Sequence, residues 1–435
     1  MKKAGLIAGL WTFAVVATVF MLTQFPKLQL KFQTQHSEER YKLACLLLDA
    51  DAFDDAITEF QALGEYKDSA HMLLESKFQK ASYLATIGDY YNMLGLCFSL
   101  EKDDSYSEKV PGLYYELGCT LRAKGDLGLA AKSFYIAGDH LDAQAQSLAC
   151  QISLTRLNTV AIYNDTAVAI LNDGTVTATN PNLQAQLADW TDIISLTYAF
   201  PMWIGLRADG TLVAQADDRY PSDDRTKYIA NALKKQADIF SISNAYAIKM
   251  DGRVVGLTNE SSFRPNDPAD IFVAQDFLVG RNTDGTVWFF SFEQPGLPLT
   301  EQRQAFIADL RKEVFSWNNI VQLAACNDRI IGLKADGTLV AAGAEYNKKC
   351  WVTYWTDIVS IQANGASTYA LRKDGTVMKT DGETHTGKVI AENIGSIYAT
   401  DYTLLLWDRD GVLLPFMLIN GQEAFPGITN IRPPQ

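Results

Sequence analysis

Gly205-Leu206-Arg207-Ala208-Asp209-Gly210-Thr211-Leu212-Val213-Ala214 is the stretch whose reading decides the fold. An Asp-Gly pair between apolar runs is the strongest short-range signal of a β-hairpin, and a type I′ turn with both central residues at φ > 0 is expected there. The pair recurs at Asp173, Asp251, Asp284, Asp336, Asp374 and Asp410, giving seven turns at steps of 36, 42, 33, 52, 38 and 36 residues. Three residues after each Asp stands an aliphatic residue, from Val176 and Leu212 to Val377 and Leu413.

Upstream of each hairpin a strand start carries apolar residues at i and i+3. They are Leu157/Val160, Ile193/Leu196, Ile239/Ile242, a weak one at Ile271, Ile320/Leu323, Ile358/Ile361 and Ile394/Ile397, and five of them lie 16 residues before their Asp. An eighth start, Ile428/Ile431, has no hairpin after it. Seven units of about 40 residues fit the blades of a β-propeller, with the orphan strand completing the first sheet so that no edge stays open. This predicts a seven-bladed propeller over residues 155–435.

Trp190-Thr191-Asp192-Ile193 leading to the stretch quoted above, Trp355-Thr356-Asp357-Ile358 leading to Leu371-Arg372-Lys373-Asp374-Gly375-Thr376-Val377, and Asn319-Ile320 leading to Gly332-Leu333-Lys334-Ala335-Asp336-Gly337 resemble repeats of the regulator of chromosome condensation type. The resemblance implies a seven-bladed propeller. The family's Ala-Gly and His-Ser steps are replaced here by Tyr198-Ala199-Phe200, Ala325-Cys326-Asn327 and Ala363-Asn364-Gly365. Its namesake's nucleotide exchange and chromatin binding are not carried over. Similar short repeats also build a bacterial β-lactamase inhibitor protein, which keeps an inhibitor in view.

Residues 38–151 carry a different repeat, of 37 residues: Tyr41/Phe78/Tyr115, Asp51/Gly88/Gly125, Phe53/Tyr90/Leu127, Ala56/Met93/Ala130 and Phe60/Cys97/Phe134. Each unit reads as a helical hairpin that cannot bury its apolar face alone and must stack. The pattern resembles tetratricopeptide repeats, although the period is 37 and the Trp-x-x-Leu-Gly-x-x-Tyr opening is absent.

Ala4 to Leu22 run without a charge behind Lys2 and Lys3. These nineteen residues, with only Thr12 and Thr18 polar, rise about 28 Å, near the thickness of a hydrocarbon core, so residues 1–23 are expected to be a retained transmembrane signal anchor and 24–37 a linker. The two-lysine head directs the remainder outward. The expected fold class is therefore multidomain: a transmembrane helix, an α-helical tetratricopeptide-like solenoid and an all-β seven-bladed propeller. The expected localisation is a single-pass membrane protein with extracellular C-terminal domains.

Thirty-eight Lys and Arg against 51 Asp and Glu leave a net charge of −13, which argues against a nucleic-acid partner. Four histidines and six cysteines show no ligand spacing, and no phosphate loop, HExxH or GxSxG occurs; no metal, cofactor or catalytic residue is expected. Each Asp-Gly turn offers one carboxylate, too few for a calcium loop.

Three insertions interrupt the repeat after a hairpin's second strand and so leave the ring on one side. Asp217 to Gln236 contains a helix over Thr226–Lys235, and Glu293 to Ser316 a helix capped by Thr300 with Phe306, Leu310 and Val314 on its apolar face. Glu345 to Tyr354 is the third. Loops on a rigid scaffold carry recognition, and Tyr, Trp and Arg are its usual anchors. Arg219, Tyr220, Tyr346, Trp351 and Tyr354 are accordingly the expected partner-binding residues, the other reading being that the insertions only plug or cap the propeller. The function expected is a membrane-anchored, non-catalytic protein-binding scaffold. The alternatives are a propeller-based inhibitor or an enzyme acting on an envelope or extracellular substrate, which a buried carboxylate pair in the central channel would favour, and a plain spacer.

Overall fold

The computed structural model describes residues 25–155, 157–220, 224–258, 261–292, 299–343, 350–400, 403–416 and 421–434. The chain divides into two compact units, Met1–Ala143 and Gln144–Gln435.

In the first unit α1 (Phe25–Asp49), α2 (Phe53–Leu63), α3 (Ser69–Ile87), α4 (Tyr90–Leu100), α5 (Asp104–Ser107), α6 (Val110–Ala123) and α7 (Leu127–Ala137) follow one another through short turns. The 37-residue step is a step in backbone conformation. Asp51, Gly88 and Gly125 hold φ of 57°, 72° and 84°, a region Gly enters freely and Asp tolerates. Asp89 and Asp126, again 37 apart, cap α4 and α7 by accepting from Asn92 N and Leu129 N, which satisfies N–H groups the first helical turn leaves open. Ala56, Met93 and Ala130, and Phe60, Cys97 and Phe134, are fully buried. The Tyr41 hydroxyl donates to Asp68 at 2.5 Å and Tyr115 to Asp142 at 2.6 Å. Phe78, at the middle position, has no hydroxyl and packs against Tyr106 instead.

The expected membrane anchor and single-pass localisation are corrected here. Among the described residues no helix is long and apolar enough to cross a membrane. Residues 1–23, on which the expectation rested, lie outside them, and α1 runs through the expected linker with Lys27, Lys31, Glu38, Glu39, Arg40 and Lys42 in its sequence. Charges at that density are incompatible with a hydrocarbon interior.

The second unit opens with α8 (Ala143–Leu154), whose first residue falls in the preceding unit, and continues as seven small antiparallel sheets. Their inner strands are Val160–Tyr163, Ile193–Ala199, Ile239–Ser243, Phe272–Val273, Ile320–Cys326, Ile358–Ala363 and Ile394–Ala399. Each sheet shares a buried apolar layer with the next: Trp190 and Trp203 lie between blades one and two, Trp317 between four and five, Trp355 between five and six. Trp190 sits so close to the next blade that a Cβ on Gly205 would come within 2.9 Å of its ring. These tryptophans are inter-blade packing, as their recurrence suggests.

The hairpins stand where the Asp-Gly pairs place them, but the turn type differs. In all seven the Gly N–H donates to the carbonyl three residues back at 2.8–3.1 Å, and only the Gly has positive φ, between 79° and 91°. This is a type I turn followed by a left-handed Gly that forms a bulge. The Asp carboxylate decides it. In six turns it accepts the backbone N–H two residues on at 2.9 Å, as Asp209 does from Thr211, which a helical-region Asp can reach. Asp408 does the equivalent in the seventh, accepting from Asp410 N and Val412 N.

The same Gly reaches the following blade. The carbonyls of Gly174, Gly210, Gly285, Gly337 and Gly375 accept from Ile193, Ile239, Ile320, Ile358 and Ile394 N–H at 2.9–3.1 Å. Before each of these Ile residues an Asp or Asn (192, 238, 319, 357, 393) holds φ of 56–61°. The fourth blade departs. Asp267 has that φ, and Pro268 bridges Asn282 as Ile193 pairs with Arg207. The true start is therefore Pro268, 16 residues before Asp284, and not Ile271. Proline has no N–H to donate. At this seam α8 takes over: Leu148 and Ile152 enter the layer between blades three and four, Gln151 Nε2 donates to Met250 O, and Arg281 Nη2 donates to Leu154 O at 2.6 Å.

Closure uses the eighth start, with Ile431 in the leading role. Ile431 bridges Leu171, Asn172 N–H donates to Asn430 O, and Trp407 Nε1 donates to Ile431 O. Asn430-Ile431 thus pairs with the middle strand of blade one, through Leu171 and Asn172, as Asp192-Ile193 pairs with Arg207 and Ala208 in blade two. The shared layer of blades seven and one joins Val160, Ala167, Leu405, Trp407 and Ile431, completing a seven-bladed β-propeller. Since Ile431 is fully buried and Ile428 only partly so, Ile431→Ala should cost about 2–5 kcal/mol in urea denaturation. Ile428→Ala should cost clearly less, and the reverse order would refute this closure.

Candidate binding face

The inner strands of all seven blades line a central cavity of about 390 Å³. Its polar wall is largely uncharged: Asn158, Thr197, Ser241, Asn244, Gln362 and Thr400 contribute amides and hydroxyls. Among the described lining residues the one carboxylate is Asp270, buried, accepting from Arg281 N at 2.9 Å and lying 3.4 Å from Arg281 Nε. A carboxylate held by an arginine is an ion pair and not the acid pair that would favour an enzyme.

In each three-stranded blade the outer strand ends where the inner strand ends, so the insertions emerge beside the turns that join inner to middle strands. The apolar faces of the helices on this side turn inward. Leu183 of α9 (Pro181–Gln186), Ile229 and Leu233 of α10 (Asp224–Leu233) and Leu310 and Val314 of α11 (Glu301–Val314) fill clefts between successive blades. Thr300 caps α11 as expected, accepting from Arg303 N. The buried stripe is Ile307, Leu310 and Val314, with Phe306 at its margin.

Three arginines tie neighbouring blades together on this face. Arg219, after blade two, holds Asp217 with Nε at 2.9 Å and Nη2 at 2.7 Å, and reaches Asp165 of blade one at 2.8 Å. Arg303 of α11 donates to Asp276 of blade four at 2.9 Å and to Asn327 O of blade five at 2.8 Å. Arg329, fully buried, joins Asp328 to Thr368, Asn364 O and Ser367 O of blade six. Arg219 is thus committed to an internal clamp; its guanidinium also lies 5.2 Å from the Tyr163 ring.

Aromatic side chains gather on that clamp. Tyr163 and Tyr198 stack at 3.9 Å, Tyr198 donates to Asp217 at 3.0 Å, the Tyr163 and Tyr220 hydroxyls are 3.2 Å apart, and Phe200 meets Tyr220 edge-on at 4.8 Å. Phe200 remains 59% exposed. Burial raises the Asp217 carboxyl's pKa, but the hydrogen bonds from Arg219 and Tyr198 outweigh it and hold the group below its ordinary value. Burial, then the bond to Asp217, pushes the Tyr198 phenol up.

Trp351 and Tyr354 form a second group between blades five and six. Trp351 stacks on His385 at 3.9 Å, Tyr354 meets the same ring edge-on at 5.2 Å, and Tyr354 is 71% exposed. Tyr346 lies outside the described residues. Sequence reasoning brought Tyr220 and Arg219 together but missed Tyr163, Tyr198, Phe200 and His385. Tyr198 and Phe200 were visible only as departures from a repeat pattern, and His385 carried no spacing signal.

No protein-family model matches the chain, and no curated protein does. Among solved structures it is similar to the computationally designed Ika8 protein (15% identity over 64% of this chain and 91% of that one, TM-score 0.38). It is also similar to Prp20p from Saccharomyces cerevisiae, described with its binding properties to Gsp1p and histones (13%, 63% and 76%, TM-score 0.33). Human WBSCR16 is similar as well (12%, 61% and 78%, TM-score 0.31).

Because the Asp217 value is depressed, its ionised form contributes stability that is fully present above the ordinary carboxylate value of about 4. That stability is lost as pH falls through the lower folded value. Asp217→Asn should therefore lower the melting temperature near neutrality and flatten its decline in the acid range. Equal acid slopes for variant and wild type would show that the clamp is not held by charge.

Proposed function

We propose that the chain is a non-catalytic protein-binding scaffold whose propeller presents its insertion-bearing face to a protein partner. The carrying observation is that Phe200 and Tyr354 stay exposed on loops whose supports are fixed by the Arg219 tie to buried Asp217 and by stacked rings. A rigid aromatic on a pre-organised loop loses little entropy on binding, and such side chains dominate interface energies. Arg219 is the positioning residue of the first group; Tyr220, Trp351 and Tyr354 complete the contact set, with Tyr346 a further candidate.

The helical repeats supply a second surface. Tyr91, Leu94 and Phe98, spaced i, i+3 and i+7 on α4, face outward with Tyr91 74% exposed. An apolar helical stripe without a covering neighbour is the usual form of a helix-recognition face.

A photo-crosslinking residue at Phe200 or Tyr354 should give one shared discrete adduct in extracts of the producing cells. The same residue at Asn172 or Lys373, beside the Asp-Gly turns at the other end of the blades, should give none. Adducts confined to the Asp-Gly end, or absent from all four positions, would overturn the proposal.

A further inference from the structure

The insertion after blade two builds a second feature, distinct from the face just described. Its helix α10 leaves a cleft of about 460 Å³ against the third strand of blade three, Val254–Gly256, and the chain beyond it. Ile229, Ala232, Leu233, Val255 and Leu257 make an apolar wall, and Tyr228, 68% exposed, stands at the lip. The cleft is thus of a size and lining that suit a small molecule.

Its charge is unusual for a chain of net charge −13. Among the described lining residues there are two cations, Lys249 and Arg253, and no carboxylate. The two flank the third Asp-Gly turn, where Lys249 N–H donates to Arg253 O at 2.9 Å, so the turn holds both at the same end of the cleft. Arg253 Nε is paired with Asp251 Oδ2 at 2.6 Å. The Lys249 ammonium has no hydrogen bond or ion pair with any described residue. Arg264 Nη2 also donates to Asp251 O, which places a third cation at this turn. Hydroxyls of Thr258, Ser261 and Ser262 complete the lining.

We propose that this cleft binds a small anionic amphiphile, a carboxylate with an aliphatic tail. The head meets Lys249 Nζ, with the free edge of Arg253 beside it, and the tail lies along Ile229, Ala232 and Leu257. A tail-less anion would leave the apolar wall wet. Charge-assisted bonds to the head and burial of the tail both contribute to affinity.

Titration calorimetry with octanoate, and with 1-octanol as the uncharged analogue, tests this on the full chain. Octanoate should saturate a single site. Lys249→Met, which keeps an unbranched stem at the half-buried end of the strand Tyr246–Lys249, should weaken octanoate about tenfold, the loss of one charge-assisted bond, and leave octanol unchanged. Ala232→Trp, filling the cleft, should abolish both, with an unaltered melting temperature confirming the fold. Unchanged octanoate affinity in Lys249→Met, no saturable binding by wild type, or binding that survives Ala232→Trp would each overturn the proposal.

Discussion

A single hydrogen bond, from the N–H of a strand-leading isoleucine to the carbonyl of the previous blade's turn glycine, organises the propeller. It can form because the turn glycine adopts a left-handed conformation that aims its carbonyl away from its own hairpin. A side chain there would be strained by φ and crowded by the next blade: a Cβ on Gly210 would lie 3.1 Å from Ile239 O. Individually such a bond contributes only about 1 kcal/mol. Its importance is geometric, since five copies set the same spacing and stagger between successive sheets.

The exceptions are informative. Pro268 removes the donor at the seam between blades three and four, and that seam receives α8, with Leu148, Ile152 and the Arg281–Leu154 bond. The first and last segments of the second unit therefore both act on the ring: α8 at the seam where Pro268 removes the donor, and Asn430-Ile431 at the seam where the ends meet. With the ring closed, the arginine ties on the insertion-bearing face hold loops from adjacent blades in register. The face is consequently rigid where it is aromatic, which is the physical basis for assigning it a recognition role.

Much of this was legible in the sequence because it is local. Asp-Gly with an aliphatic residue three positions on marks a hairpin whatever surrounds it, and the 37-residue step of Asp51, Gly88 and Gly125 marks helical turns for the same reason. The turn type was not legible, since both hairpin types place Gly in the left-handed region and only the carboxylate's bond to the residue two on separates them. Pro268 does not read as a strand start, because proline lacks the N–H and stands where the other starts carry Ile or Leu. The stripe on α11 was misplaced by one residue, Phe306 for Ile307, as two adjacent apolar residues satisfy similar spacings. The aromatic clamp depends on contacts such as Tyr163 to Tyr220, 57 residues apart, which no local pattern encodes. Hydropathy over Ala4–Leu22 described the composition of that stretch alone.

The most direct measurement is residue-resolved amide hydrogen exchange on the intact protein. The account predicts that the amides of Ile193, Ile239, Ile320, Ile358 and Ile394 belong to the slowest class and exchange only with global unfolding. Exchange of these five at the rate of the exposed turn amides would contradict it, because the blades would then be held by apolar packing without the strap.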